Sequence, residues 1–162
     1  MAQHPAPSQD EHLQQMLIAG GRYDGRPTQQ AAIHLLTFTE LVHHRGFADL
    51  LDTEDVELRN DDGELAGQRT TAAFVRDWAA LPNSPTAGYM SGGSHRLLAL
   101  AVALATGEPV NLIENLPGLG SAHARRVIEA ITIATGTAHL YEITGTAALQ
   151  RMRDERDALF NS

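Results

Sequence analysis

The chain contains no cysteine. That removes disulfides, zinc–thiolate centres and thiol nucleophiles from its chemistry. It also contains no lysine, since all 12 basic residues are arginines. A Walker-type phosphate loop needs its lysine and a Schiff-base enzyme needs an amine, so both classes are excluded. Aromatic residues make up only 5% of the sequence. No apolar run approaches the ~18 residues of a membrane span. Met1 to Gln9 is polar and proline-bearing and lacks the apolar centre of a secretion signal. These residues read as a disordered tail (1–9) ahead of a single domain over 10–162, and a cytoplasmic setting is the expectation.

What is present suits one folded unit. The chain has 162 residues, 43% of them hydrophobic, enough to bury a core. The arginine-only, alanine-rich composition resembles the coding bias of a GC-rich genome and carries no information on function. Formal net charge is -8, which argues against a general DNA binder. The charge is unevenly spread. Residues 49–64 hold eight carboxylates against Arg59 alone, whereas 91–162 hold seven acids and six arginines. The acidic segment is a candidate surface for a protein partner, with Asp52, Asp55, Asp61 and Asp62 as its candidate contacts.

Periodicity and breakers give the elements. A first helix is expected from Asp10 to Ala19, stopped by Gly20-Gly21. A second is expected from an N-cap at Thr28 to about His44, with Ala31, Leu35, Phe38 and Val42 inward. Asp62-Gly63 is a turn signal inside a small β-hairpin over 56–66. Thr70 or Thr71 would cap a helix through Ala80 with Phe74, Val75 and Trp78 inward. Pro82-Asn83-Ser84-Pro85 is a break. The run 94–106 is apolar all round and reads as a central helix covered on every side. A short helical piece over Asn111–Asn115 leads to a helix from Ser121 to Ala134, with Ala124, Val127, Ile128 and Ile131 inward. Residues 138–143 read as one strand. Thr146 caps a last helix with Leu149, Met152 and Leu159 on one side, and Arg151–Glu155 and Arg153–Asp157 pairs on the other. The fold expected is therefore mainly α: a compact single-domain helical bundle around the 94–106 helix, with a small β-hairpin.

The stretch with most bearing on function is Leu116-Pro117-Gly118-Leu119-Gly120, followed by Ala124 and Val127. It resembles the turn and second helix of the helix-hairpin-helix DNA-binding family, over about twelve residues and in a single copy. Glycines at 118 and 120 permit positive φ and close backbone approach. The amides that open the next helix can then receive a phosphate oxygen. The resemblance implies Gly118, Gly120, Ser121, His123, Arg125 and Arg126 as the DNA-contacting residues. A second stretch, Met90-Ser91-Gly92-Gly93-Ser94-His95-Arg96, followed by an apolar helix, resembles the signature segment of ABC-type ATPases. Here the phosphate-loop lysine is absent and the acidic pair is reduced to Glu114, so any such relative is inactive.

Other patterns point to solvated surface. Glu40, His43 and His44 would share the outer face of the second helix, half of a carboxylate-bridged di-metal site whose second half is missing. Asn60-Asp61-Asp62-Gly63-Glu64 has calcium-loop letters without the calcium-loop spacing. No nucleophile–base set is visible, and no catalytic residue, metal or cofactor is assigned. The expectation is a non-catalytic binding protein acting through protein–protein interaction. The alternatives are a non-sequence-specific DNA binder using the 116–126 turn and an inactive ATPase relative.

Overall fold

A computed structural model describes residues 9–59 and 65–160. It is a mainly helical domain carrying a small two-stranded antiparallel sheet. The helices are α1 (Gln9–Asp24), α2 (Pro27–Leu36), α3 (Gly92–Thr106), α4 (Leu112–Asn115), α5 (Ser121–Ala134) and α6 (Ala147–Phe160). The strands are β1 (Leu51–Arg59) and β2 (Leu65–Val75), and short 3-10 turns fill the joints. The tail expected over 1–9 lies outside the described residues, apart from Gln9 at the start of α1.

α2 lies against α1, α3 and α5. It begins at Pro27, whose missing N–H suits the first helical position, with Arg26 rather than Thr28 as N-cap. It ends at Leu36, where its last carbonyls are all taken. Thr37 N–H donates to the Ile33 carbonyl, Phe38 N–H to Leu35, and Thr39 N–H and Oγ1 both to Leu36. The expected continuation to His44 is replaced by a 3-10 turn over Glu40–His43. Leu41, Val42 and Phe47 are carried into the core by this irregular segment, while Phe38 stays 41% exposed.

Gly20-Gly21 does not stop α1. The helix runs on to Asp24, five residues past Ala19, and Gly20 is a contact point: a side chain there would overlap the carbonyl oxygen of Ala73 on β2. The helix expected over 70–80 is instead the end of strand β2 up to Val75, followed by a turn over 78–80. Thr70, Thr71, Phe74 and Val75 are β-branched or aromatic, and backbone pairing with β1 sets their state (Leu51 opposite Val75, Asp55 opposite Thr71). The hairpin is thus longer than 56–66, and its Asp62-Gly63 turn lies outside the described residues. Each sheet face is covered in part, with 52–55 of β1 exposed. Ala73 and Leu51 face the main core; Val56 and Ala72 form a second cluster with Ala19 of α1.

Two proline-started 3-10 turns, Leu81–Asn83 and Pro85–Tyr89, lead to α3. The Ser91 side chain caps this helix by accepting from Ser94 N–H, and Gly107 ends it at φ 78°. Glu40 faces the amino end of α3. Burial would raise its pKa, but the hydroxyls of Ser94 and Ser91 and nearby backbone amides outweigh burial and hold the carboxyl below its ordinary range. α3 is covered only over its first half. Leu97, Leu98, Leu100 and Ala101 are buried, whereas Val102 to Ala105 are half-buried. Residues 138–143 form no strand; they hold a 3-10 turn at Ala138–Leu140 and then extended chain. α6 starts after Thr146 as expected, but none of its residues is buried. On α6 Arg156 pairs with the adjacent Asp157 at 3.1 Å.

Candidate functional site

The glycine turn joins α4 to α5. Asn111 Oδ1 caps α4 by accepting from Ile113 N–H at 3.0 Å, and the helix lasts a single turn. Gly118 then takes φ +75°, a conformation that L side chains rarely adopt, and Gly120 is the extended N-cap of α5. Leu119 packs against the core and Val127 is buried, as a corner between two helices requires. The amides of Ser121, Ala122 and His123 open α5 with no intrahelical partner. Arg96, which the sequence reading did not include, reaches this turn from α3. Its Nη1 lies 2.9 Å from where a Cβ on Gly118 would be.

The charged residues after the turn are engaged within the fold. Arg126 is turned inward, where its Nε donates to the His34 carbonyl at 3.0 Å and its Nη2 to Thr37 Oγ1 at 3.4 Å. Its guanidinium carbon lies 5.3 Å from the centre of the Phe38 ring. Arg125 donates to Glu129 Oε1 at 2.7 Å, and Glu129 Oε2 meets His34 Nε2 at 2.9 Å. Burial opposes ionisation of Glu129, but its bonds to Arg125 and His34 prevail and lower its pKa. Burial and then the charge of Arg126 hold His34 below its ordinary value, against the pull of Glu129. His123 sets its ring edge-on to Phe38, with 5.5 Å between centroids, and borders Gly93. Of the six residues implied by the resemblance, Gly118, Gly120 and Ser121 stay at the turn. His123 and Arg126 serve the α2–α5 junction, and Arg125 is exposed but paired.

The acidic candidates do not converge. Asp52 and Asp55 point to opposite faces of the sheet because their positions in β1 differ by an odd number. Asp52 pairs with Arg76 at 3.0 Å, and Asp55 accepts from Thr71 Oγ1 at 2.8 Å. Asp61 and Asp62 lie outside the described residues. The Glu40, His43 and His44 group is also dispersed. His43 Nδ1 meets Asp10 at 3.0 Å, and the His44 ring stacks on Tyr89. Among the described residues no group of three His, Asp or Glu is placed to hold a metal. The described sheet is antiparallel and two-stranded, unlike the parallel sheet expected of an ATPase relative.

The feature missed in the sequence is an apolar groove of about 300 Å³ between the second half of α3, α4 and α5. Leu104, Val110, Leu112, Leu116, Val127 and Ile131 are among its walls. Large aliphatic side chains stand open along it: Leu112 is 53% exposed and Ile131 57%. Ile128, expected inward, is also exposed. The signal was the width of the apolar arc. Val127, Ile128 and Ile131 with a wholly apolar 102–105 run exceed what one core face can take.

No family model, curated protein or solved structure matches the chain. Among the described residues no helix is long and apolar enough to cross a membrane.

Proposed function

We propose that the chain is a non-catalytic binding protein of the cytoplasm that acts through protein–protein interaction, with the α3–α4–α5 groove as its docking surface. The observation that carries this reading is the groove with its open aliphatic rim. Monomeric proteins rarely leave contiguous apolar surface of this kind uncovered. A trough between helices suits the apolar face of a partner helix, anchored at i, i+3 or i+4 and i+7. The acidic segment is a weaker candidate, because Asp52 and Asp55, its two described candidate contacts, face apart and are bonded to Arg76 and Thr71.

A 14-residue amphipathic helical peptide with leucines at that spacing, followed by fluorescence anisotropy, tests the proposal. Saturable binding lost in Ile131→Glu supports it. Binding that Ile131→Glu leaves unchanged overturns it.

A second reading keeps DNA as the ligand. It is favoured by one observation: Arg153 of α6 joins Arg125 and Arg126 around the cleft at Ala122, beside the opening turn of α5. This reading expects labelled duplex DNA to bind at low salt, weaken steeply as salt rises, and bind less to Arg125→Glu. Ile131→Glu would leave such binding intact, so the two readings separate on the same pair of variants.

A further inference from the structure

We infer that the groove is filled by α6 of a second copy of this chain, in a reciprocal exchange of helices. The inference rests on the reading of the groove as a docking surface and names its occupant.

The first argument is that one chain carries two uncovered apolar surfaces of matching form. α6 is a 14-residue helix with no buried residue. Leu149, Met152 and Leu159 follow the spacing of a coiled-coil seam, with Phe160 beside them, and Phe160 is 83% exposed. An isolated helix of this length is marginal in water, so its stability depends on a surface to pack against.

The second argument concerns direction. The tether 138–143 runs past His34, Arg125, Glu129 and Thr132, and Arg153 of α6 lies by Ala122, Arg125 and Glu129. On α5, positions 125 and 129 are about half a turn from 127 and 131, which line the groove. The tether therefore leads α6 to the side of α5 that faces away from the chain's own groove. Residues 135–146 separate α5 from α6, and after the 3-10 turn at Ala138–Leu140 the stretch 141–146 has no regular structure; it spans up to about 20 Å when extended, the length available to carry α6 toward a neighbouring molecule.

The third argument is charge. Glu108 and Glu114 stand exposed beside Val110 and Leu112, and neither has an ion-pair partner among the described residues. The α6 seam carries Arg156 between Met152 and Leu159. Its present partner is the adjacent Asp157, an exposed pair that exchanges at little cost. Arg156 on the acidic rim would orient the helix in the groove. A two-fold exchange closes the assembly and seats two helices, doubling the area of one contact toward the ~800 Å² per partner of a stable interface.

Sedimentation equilibrium of the full chain tests this, with methyl NMR of Ile131 and Leu112 as a second readout. The wild type is expected to be a dimer. Ile131→Glu and Met152→Glu change exposed side chains and are each expected to be monomeric with unchanged helical circular dichroism. Mixing the two variants is expected to restore a weaker dimer, since one intact helix then meets one intact groove. A dimer that survives Met152→Glu and is lost in Ile131→Glu overturns the choice of α6 and leaves the groove reading standing. A monomeric wild type whose Ile131 methyl shifts in Met152→Glu places α6 in its own groove and overturns the second copy. A monomeric wild type with no such shift overturns the inference, and the leucine-peptide titration then decides the groove reading separately.

Discussion

The Nε of Arg126 donates to the main-chain carbonyl of His34 at 3.0 Å, joining α5 to the last turn of α2. A side chain that the sequence offers as a DNA contact is thereby a clamp between helices. Arg126→Ala removes a charged hydrogen bond to a helix-end carbonyl and the contact with Phe38, and is expected to cost about 1.5–3 kcal/mol. Arg125→Ala, which loses only an exposed i,i+4 pair with Glu129, is expected to cost at most about 0.5 kcal/mol. Urea unfolding of the two variants measures the difference. Equal losses would show that Arg126 is no more structural than its neighbour.

The pattern of what could be read in advance follows from range. Helices whose ends are set locally are legible: α3 stops before Gly107, α4 starts after Asn111, and α5 opens after Gly120. Elements decided by distant partners were not. The end of β2 and the turn after it carry an i, i+1, i+4 apolar pattern at Phe74, Val75 and Trp78 that fits a helix, and pairing with β1 makes the part up to Val75 a strand. α2 ends where Thr39 and Arg126 take its carbonyls, and Arg126 comes from far along the chain. The glycine turn was visible as a motif. The groove was not, because its walls come from three elements and its rim residues have the same letters as core residues.

Gly20 makes a second test of long-range control. In a helix interior Gly→Ala normally gains about 1 kcal/mol. At Gly20 the added methyl overlaps a backbone oxygen of Ala73, which cannot move without shifting β2. Gly20→Ala is expected to lose about 1–3 kcal/mol by overpacking. At Gly21 the same methyl meets only Cδ1 of Ile33, the end of a flexible side chain, 2.8 Å away. Gly21→Ala is expected to be neutral or stabilising. Thermal melts of both variants decide it, and a stabilised Gly20→Ala would mean that α1 and β2 do not approach this closely.

Stability should fall with acid because of His34. Burial, and then the charge of Arg126, lower its folded pKa, so below its ordinary value of about 6.5 the unfolded chain binds more protons than the folded one. The contribution is complete above that value and is lost as pH drops through the folded pKa. Glu129 is also lowered, but its loss begins only near the carboxylate range, further into acid. Urea midpoints at about pH 7.5 and about pH 5.5 therefore isolate the histidine. The midpoint is expected to fall in the wild type and to fall less in His34→Gln. Identical falls would assign the acid sensitivity to other groups.

Gly118 has a backbone role that must be separated from any ligand. At φ +75° an alanine is strained by about 1–2 kcal/mol. Gly107, at φ +78° with nothing within 4 Å of an added Cβ, provides the same strain with no neighbour. At Gly118 the added methyl also meets the Arg96 guanidinium, a flexible group able to swing aside. Gly107→Ala and Gly118→Ala are therefore expected to lose similar stability in urea, about 1–2 kcal/mol each. A much larger loss at Gly118 would make Arg96 a fixed buttress of the turn. The comparison bears on function because the turn holds Leu116 in the groove wall. A binding defect in Gly118→Ala that tracks the lost stability belongs to the fold. One that remains under conditions where the variant is fully folded belongs to the docking surface.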